Sequence, residues 1–375
     1  MWDENLVKDK MAILIPTRNR PFLIFDLLVF ILTSNLNIDL YIADSSSVEN
    51  RVLLRKILSE IKKMDKNNIL KINVIYFEDR PDVGLFYRKI IHAVKLIQHE
   101  YVFLLPDDDF PNFCIWGDVL KVFENDDSVS IVSSNYCNIL EEKDAGKIEY
   151  KFTTAYRGRS QMEDSIYDRL KNYSECPQNF FYSVYRRETL YEAICVHAID
   201  PPHPTSQEHR FALLNLVGGK RQHLPSHGMI LRNSSENQRL VEVEAGITHS
   251  KEVMAQYKGD FSVKLFDGVS SMLNRLGRQE DFDSASILQI GEAIIDAHVQ
   301  GDQENPDGSG LKIYTGFPGN EILKSSQEKF KINSKEMGRI FKNIVMCIEG
   351  RKKYKPLYDD RIDVQEIPVK EIYID

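Results

Sequence analysis

The sequence predicts an α/β fold, in which a mixed sheet is flanked by helices, and three observations lead to this prediction. Short apolar runs recur in the first part of the chain, at residues 11–16 (MAILIP), 39–43 (DLYIA), 71–77 (KINVIYF) and 101–105 (YVFLL). Segments with helical periodicity lie between them, at residues 48–63 and 83–98. Polar residues follow each run. Strands that alternate with helices at this spacing form parallel sheets buried between helical layers.

The rest of the chain carries elements of both kinds. We predict strands at residues 129–133, 180–185 and 229–231, and a helix at residues 207–217. Residues 141–158 are polar and are predicted to form a loop or a sheet edge. Beyond residue 250 the pattern becomes helical, at residues 253–276, 285–299 and 334–350. The sequence therefore predicts a domain formed by residues 1–250 and a mainly helical C-terminal region formed by residues 251–375.

Charge and composition argue against several classes of protein. The net charge of −8 leaves no basic surface for nucleic acid, so we expect no stable nucleic-acid binding. The five cysteines include no C-x-x-C pair that would indicate zinc or redox chemistry. The N-terminus lacks the apolar core of a signal peptide, and the longest apolar run, residues 22–32, is about half a membrane span and contains Asp26. We expect a cytoplasmic protein.

Polar residues follow four of the predicted strands. They are Thr17, Asp44, the loop at residues 79–84 and the triplet Asp107, Asp108 and Asp109. Ligands of such sheets bind beyond the carboxyl ends of the strands, so we expect these groups to meet at one rim. Three adjacent carboxylates repel one another, and Mg²⁺ or Mn²⁺ would relieve this repulsion. The alternative for the triplet is an acidic turn with no function.

The strings ILIPTRNRP, IADSSS, RPDVGLFYRK and LLPDDDFP, in this order, resemble the GT-A fold, and specifically the family 2 inverting glycosyltransferases. The resemblance covers residues 11–240 and implies a Rossmann-like mixed sheet. It implies that Asp109 and Asp107 belong to a metal motif that binds Mn²⁺ or Mg²⁺. Which two of the three aspartates form this motif stays open. It also implies donor-binding roles for Thr17, Asp44, Gly84, Arg88, Asp107 and Asp108.

In this family the general base is an acidic residue at the start of a later helix. The matching segment is PTSQEHR, where Ser206 would cap the helix and Glu208 would be the base. His209 stands where the family has a second acid, and it would orient Glu208 or act as the base itself. The alternative is that Glu208 is not a base and only complements the helix dipole.

Some relatives add a histidine to the metal from a later strand. His227 is the preferred candidate here, with His223 as the other, and both have the alternative of a packed histidine. Arg232 and Arg239 in RNSSENQR would order over a diphosphate as a lid. These roles follow from the resemblance alone.

The resemblance implies a metal-dependent inverting glycosyltransferase that moves a sugar from a nucleotide-sugar donor to a glycan or other hydroxyl acceptor, in surface glycan or polysaccharide assembly. Two alternatives stay open: a non-catalytic domain that binds a nucleotide or glycan, and a sugar-nucleotide nucleotidyltransferase, for which TRNRP lacks the usual glycines and lysine. The basic cluster at residues 351–355 suggests peripheral contact with the inner face of a membrane, against the alternative of a solvated charge run.

Overall fold

A computed structural model describes residues 4–79, 83–144, 147–154, 158–177, 180–202, 206–233, 255–278, 280, 283–301, 340, 343, 344, 346, 347 and 370–373. Its first part alternates strands and helices, in the order α1 (Glu4–Lys10), β1 (Met11–Thr17), α2 (Pro21–Thr33), β2 (Ile38–Asp44), α3 (Val48–Met64), β3 (Leu70–Tyr76), α4 (Val83–Leu96) and β4 (Tyr101–Leu104). The predicted apolar strands are confirmed to within a residue or two. Their buried faces explain this agreement, since β1 and β2 are buried at every position.

The second part is less regular. It comprises β5 (Phe110–Pro111), a 3₁₀ turn (Phe113–Ile115), α5 (Trp116–Asn125), β6 (Val129–Asp144), β7 (Lys147–Thr154), α6 (Ile166–Glu175), β8 (Val184–Arg186), α7 (Arg187–Ile199), α8 (Gln207–Gly218) and β9 (Lys220–Asn233). The helices α9 (Lys258–Arg275) and α10 (Ser284–Gly301) and the strand β10 (Lys370–Tyr373) follow.

The ten strands of the described residues form one mixed sheet, with the order β10-β3-β2-β1-β4-β8-β6-β9-β5 and β7 paired to β6. The strands from β10 to β4 are parallel to one another, and β8 is antiparallel to both β4 and β6. The chain leaves β1 toward β2 and β3 on one side and returns to β4 on the other. The predicted mixed α/β architecture is therefore confirmed.

Two hydrophobic clusters cover the two faces of the sheet. One packs α2, α3 and α5 against the sheet, and the other packs α4, α7 and α8 against it. The helices α9 and α10 belong to the second cluster through residues such as Leu265, Met272 and Ile294, so they share a core with the first part of the chain. The boundary at residue 250 stays a prediction.

Several sequence predictions differ from the structure in extent. The polar segment at residues 141–158 contains the antiparallel hairpin of β6 and β7, which is a sheet edge. The strands β6 and β9 are much longer than predicted because they pair with each other along most of their length, and this pairing tolerates polar residues. The strand predicted at residues 180–185 is confined to β8. Most of the helix predicted at residues 334–350 lies outside the described residues. Within the described part of the chain, no helix has the length and apolar character needed to cross a membrane.

Candidate active site

The polar ends of β1, β2 and β4 meet at one rim of the sheet. The hydroxyl Oγ1 of Thr17 donates to Oδ2 of Asp107 over 2.6 Å, and the backbone N–H of Ser45 donates to the carbonyl of Thr17 over 3.1 Å. This rim lies where β1 has β2 on one side and β4 on the other, which is the switch point at which α/β sheets bind ligands. The structure thus brings together Thr17, Asp44 and the triplet.

Asp44 is fully buried at the end of β2. Its Oδ1 accepts hydrogen bonds from the backbone N–H and the hydroxyl of Ser46, which fixes the orientation of the carboxylate. Its Oδ2 is also buried and has no hydrogen-bond partner among the described residues. Burial raises the pKa of Asp44 above its usual value. A buried acceptor that is left open at the switch point is suited to a donor group of a ligand.

Lys89 supplies a charge at this rim that the sequence analysis did not identify. Its side chain is buried on α4, and its Nζ donates to the carbonyl of Thr17 over 2.8 Å and to Oγ of Ser45 over 3.1 Å. Burial lowers the pKa of Lys89 to about 8, although Asp107 and Asp44 oppose this change. Arg88, the predicted diphosphate contact, is exposed on the neighbouring position of the helix.

Helical spacing explains why Lys89 and not Arg88 faces the rim. Lys89 lies four residues before Ala93, which is completely buried, and three residues after Phe86, which packs against the core. That spacing is the signal by which Lys89 could have been found. Gly84 lies in the first turn of α4 and is half-buried, near the loop whose residues 80–82 lie outside the described part of the chain.

The carboxylate of Asp107 accepts hydrogen bonds from Thr17 and Arg20. Arg20 Nη1 donates to Oδ1 of Asp107 over 3.1 Å and to Oδ2 of Asp108 over 3.2 Å. Arg20 immediately precedes α2, and its place in the string TRNRP was the available signal for it. Because both oxygens of Asp107 accept hydrogen bonds from the protein, Asp107 is held as a part of the rim.

The other two carboxylates of the triplet crowd each other. Burial first, and then the charge of Asp107, raises the pKa of Asp108 to about 6. Burial and the charge of Asp108 raise the pKa of Asp109 well above its usual value. Oδ1 of Asp109 accepts a hydrogen bond from the backbone N–H of Arg232 over 2.9 Å. Negative charge is therefore concentrated here beyond what the neighbouring groups compensate.

The side chain of Arg232 does not project over the rim as the lid prediction requires. It is buried, and its Nη1 pairs with Oδ2 of Asp26 in α2 over 2.9 Å. Asp26 is the charged residue that interrupts the apolar run at residues 22–32, and a buried charge of this kind needs a partner. Arg239 lies outside the described residues.

Glu208 and the triplet act electrostatically on the same tyrosine side chains. Glu208 is exposed in the first turn of α8, after Ser206, whose side chain makes no capping hydrogen bond. The half-buried Tyr182 lies within electrostatic reach of both groups, because burial, then Glu208 and then the three aspartates raise the pKa of its hydroxyl. Burial, then the charge of Glu208 and, more weakly, that of Asp109 also raise the pKa of the Tyr136 hydroxyl. These two tyrosines, which the sequence analysis missed, lie within electrostatic reach of both the candidate base and acidic residues of the triplet.

His209 packs against α6. It is buried, its Nδ1 is 2.8 Å from the hydroxyl of Tyr173 on α6, and the two rings meet edge to face. The next residue along a helix points about 100° away, so His209 and Glu208 cannot occupy the same face of α8. The structure therefore separates the two residues that were predicted to share the base function.

The structure does not bring His227 to the triplet. In β9, His227 is paired with Asn135 of β6. Asp109 contacts Arg232, which follows His227 by five residues in β9, a separation of roughly 15 Å along an extended strand. Burial lowers the pKa of His227, and its Nε2 has no partner among the described residues. His223 is 3.0 Å from both Ser133 and Asn135, which is the bonding of a packed histidine. Across the described ranges, no group of three or more His, Cys, Asp or Glu side chains is arranged to hold a metal ion.

No protein-family model matches the chain, and no curated protein sequence matches it. Among solved structures, the chain is similar to S. aureus TarS 1–349, at 13% sequence identity and a TM-score of 0.49, over 91% of this chain and 82% of that one. The complex of TarS 1–349 with UDP-GlcNAc gives 12% identity and a TM-score of 0.48 over the same shares. The mannosyltransferase PcManGT from Pyrobaculum calidifontis, in complex with GDP-Man and Mn²⁺, gives a sequence identity of 11% and a TM-score of 0.42. The match covers 96% of this chain and 84% of that one.

Proposed function

We propose that this protein is a metal-dependent inverting glycosyltransferase that uses a nucleotide-sugar donor. One observation carries the proposal: Glu208 and the triplet, which lies at the same rim as Asp44 and Lys89, are both within electrostatic reach of Tyr182. An acidic rim with an open acceptor suits a nucleoside diphosphate held through a cation. A carboxylate across the cleft suits the activation of a hydroxyl.

The donor nucleoside would bind over β1 and β2. The buried Oδ2 of Asp44 would accept a hydrogen bond from the base or the ribose, and Thr17 would line the same place. Gly84, in the first turn of α4, would leave room for the diphosphate near the helix N-terminus, where backbone N–H groups favour anions. Lys89 would hold the backbone of Thr17 and the side chain of Ser45 in place beneath the nucleoside. Arg88 stays a proposed contact to the diphosphate.

The residues of the triplet fit a cation of the Mg²⁺ or Mn²⁺ type. Asp109 and Asp108 offer oxygen ligands, and their mutual repulsion would be relieved by a positive charge. Two carboxylates are sufficient, because such an ion takes its remaining ligands from water and phosphate. Asp107, the second ligand expected by resemblance, is instead engaged by Thr17 and Arg20 and would orient the donor side of the triplet. When bound, the ion would stabilise the leaving nucleoside diphosphate.

Glu208 would be the general base. Its carboxylate would accept the proton of the acceptor hydroxyl as the acceptor oxygen forms a bond to the anomeric carbon. The bond from that carbon to the diphosphate oxygen would break on the opposite face, so the configuration would invert. His209 would orient Glu208 indirectly, because its hydrogen bond with Tyr173 fixes the first turn of α8 and hence the position of Glu208. Glycan assembly in the cytoplasm, with residues 351–355 at a membrane surface, belongs to the same proposal; those residues lie outside the described part of the chain.

A thermal-shift screen of nucleotide sugars with Mn²⁺ tests the donor class. The panel should include UDP-GlcNAc and GDP-mannose, each with and without the metal. A donor at about 100 times its dissociation constant stabilises the fold by about 2.7 kcal/mol, so the unfolding midpoint should rise by several degrees. Asp44→Ala should abolish the shift. If no nucleotide or nucleotide sugar shifts the midpoint, the proposal is wrong, and a shift without turnover would favour a binding protein.

A further inference from the structure

A buried ion pair lies directly behind the triplet. Asp26 in the middle of α2 and Arg232 near the end of β9 are joined at 2.9 Å, and their side chains are 1% and 4% exposed. Charges are costly to bury, and replacing such a pair by apolar side chains of similar volume often leaves a protein as stable or more stable. Stability alone therefore does not account for a charged pair at this position.

The same arginine also contacts the triplet through its backbone. The N–H of Arg232 donates to Oδ1 of Asp109 over 2.9 Å. In the described strands, β9 pairs with β5 only through Met229 and Ile230, so the strand neighbour ends just before this N–H. The N–H is therefore directed at a carboxylate oxygen, and the rotation of the Asp109 side chain depends on the position of Arg232.

The side chain of Arg232 is anchored by Asp26, and its charge still reaches the triplet. Nη1 of Arg232 donates to Oδ2 of Asp26 over 2.9 Å, and the charge of the guanidinium opposes the rise in the pKa of Asp108. Residue 232 is thus held at two places, by Asp26 at its side chain and by Asp109 at its backbone N–H. A change at Asp26 would therefore shift the N–H that orients Asp109.

We infer that Asp26 is a positioning residue, which acts through Arg232 to orient Asp109. This inference rests on the proposed function, since it assumes that the triplet binds a divalent cation. It predicts that the affinity for the cation depends on Asp26, the residue of α2 that pairs with the side chain of Arg232. Outer partners that orient metal ligands typically change metal affinity by about 10- to 100-fold.

The test is the binding of Mn²⁺ alone, measured from the free-ion signal in electron paramagnetic resonance, together with the thermal unfolding midpoint. The double variant Asp26→Leu/Arg232→Met removes both charges and keeps the backbone N–H. We expect it to fold with a midpoint close to that of the wild type and to bind Mn²⁺ about 10-fold more weakly. The control Lys10→Met/Glu124→Leu removes an ion pair between α1 and α5, and Mn²⁺ binding should not change.

If the first double variant does not fold, Asp26→Asn/Arg232→Gln decides the question, because it keeps a hydrogen bond in place of the ion pair. It should bind Mn²⁺ at least 3-fold more weakly than the wild type, and more weakly than the control. Equal affinity in a folded variant and the wild type overturns this inference and leaves the proposed metal site standing. A wild-type protein that binds no Mn²⁺ overturns both.

Discussion

The two ends of the sheet differ in how their charged side chains are paired. At the amino ends of β4 and β6, Arg186 donates to the carbonyls of Val129 and Phe123 at 2.8 and 2.7 Å and pairs with Glu100. At the carboxyl ends, the acidic triplet is crowded, and Asp44 has a buried oxygen without a partner among the described residues. Both ends are rich in charged residues, but at the carboxyl ends the like charges of the triplet are crowded together.

A large opening does not by itself mark the site. A cleft of about 830 Å³ lies at the Arg186 end, and several cations line it. These cations are already engaged: Arg169 and Arg278 donate to the last carbonyls of α8, and Lys220 pairs with Asp164. The comparison teaches that crowded like charges with raised pKa values, rather than volume or the number of charges, distinguish a site for chemistry from a network of paired cations.

The largest effect on this comparison should come from Glu208→Gln. The amide keeps the shape of the side chain but cannot accept a proton, so the transfer rate should fall by about 10²- to 10⁴-fold while the donor-induced thermal shift is kept. Steady-state kinetics with the donor found in the screen would measure this. Glu188→Gln is a matched control, since Glu188 is also an exposed acid in the first turn of a helix, at the other end of the sheet. Equal rates for the Glu208 variant and the wild type would remove the base assignment.

Lys89→Met should change how stability depends on pH. In the wild type, burial lowers the pKa of Lys89 from 10.5 to about 8, so the charged form is penalised in the fold and the unfolded chain binds the proton more tightly. Stability should therefore rise between about pH 8 and pH 10.5, by up to about 3 kcal/mol for this group. The variant should lack this rise. Urea unfolding of both proteins at several pH values checks it, and parallel pH profiles would show that Lys89 has an ordinary pKa.

A smaller effect, confined to stability, is expected for Arg186→Met. The loss of its hydrogen bonds to buried carbonyls and of its contacts with the rings of Tyr101 and Phe123 should cost about 2–3 kcal/mol of unfolding free energy. Donor binding and turnover by the folded variant should match those of the wild type. A loss of turnover without a loss of stability would mean that this end of the sheet takes part in the reaction.

The strands and the rim were predictable because their signals are local. A continuous apolar run such as that of β1 has few alternatives to a buried strand, and the residue that follows such a strand lies at the rim. Thr17, Asp44 and the triplet were placed together by this reasoning. Glu208 was predicted from its position at a helix start, and the structure has it exposed in the first turn of α8. Its role as the base stays a prediction.

The remaining features depend on contacts between distant parts of the chain. Asp26 and Arg232 are far apart in sequence, and nothing local indicates that they pair. The interpretation of His227 depended on the register of β9 against β6, which pairing over many residues determines. Lys89 has a local signal, since Phe86 and Ala93 mark the packed face of α4 on which it lies.

The most direct test of the account is turnover of a nucleotide sugar by the wild type and by Asp109→Ala, with Mn²⁺ and with the metal chelated. Release of the nucleoside diphosphate and the configuration of the transferred sugar can both be followed by NMR. The account predicts metal-dependent turnover with inversion by the wild type, and a loss of at least about 10³-fold in a variant that is folded as well as the wild type. Unchanged turnover by Asp109→Ala, or turnover that continues when the metal is chelated, would contradict the assignment of the triplet as a cation site.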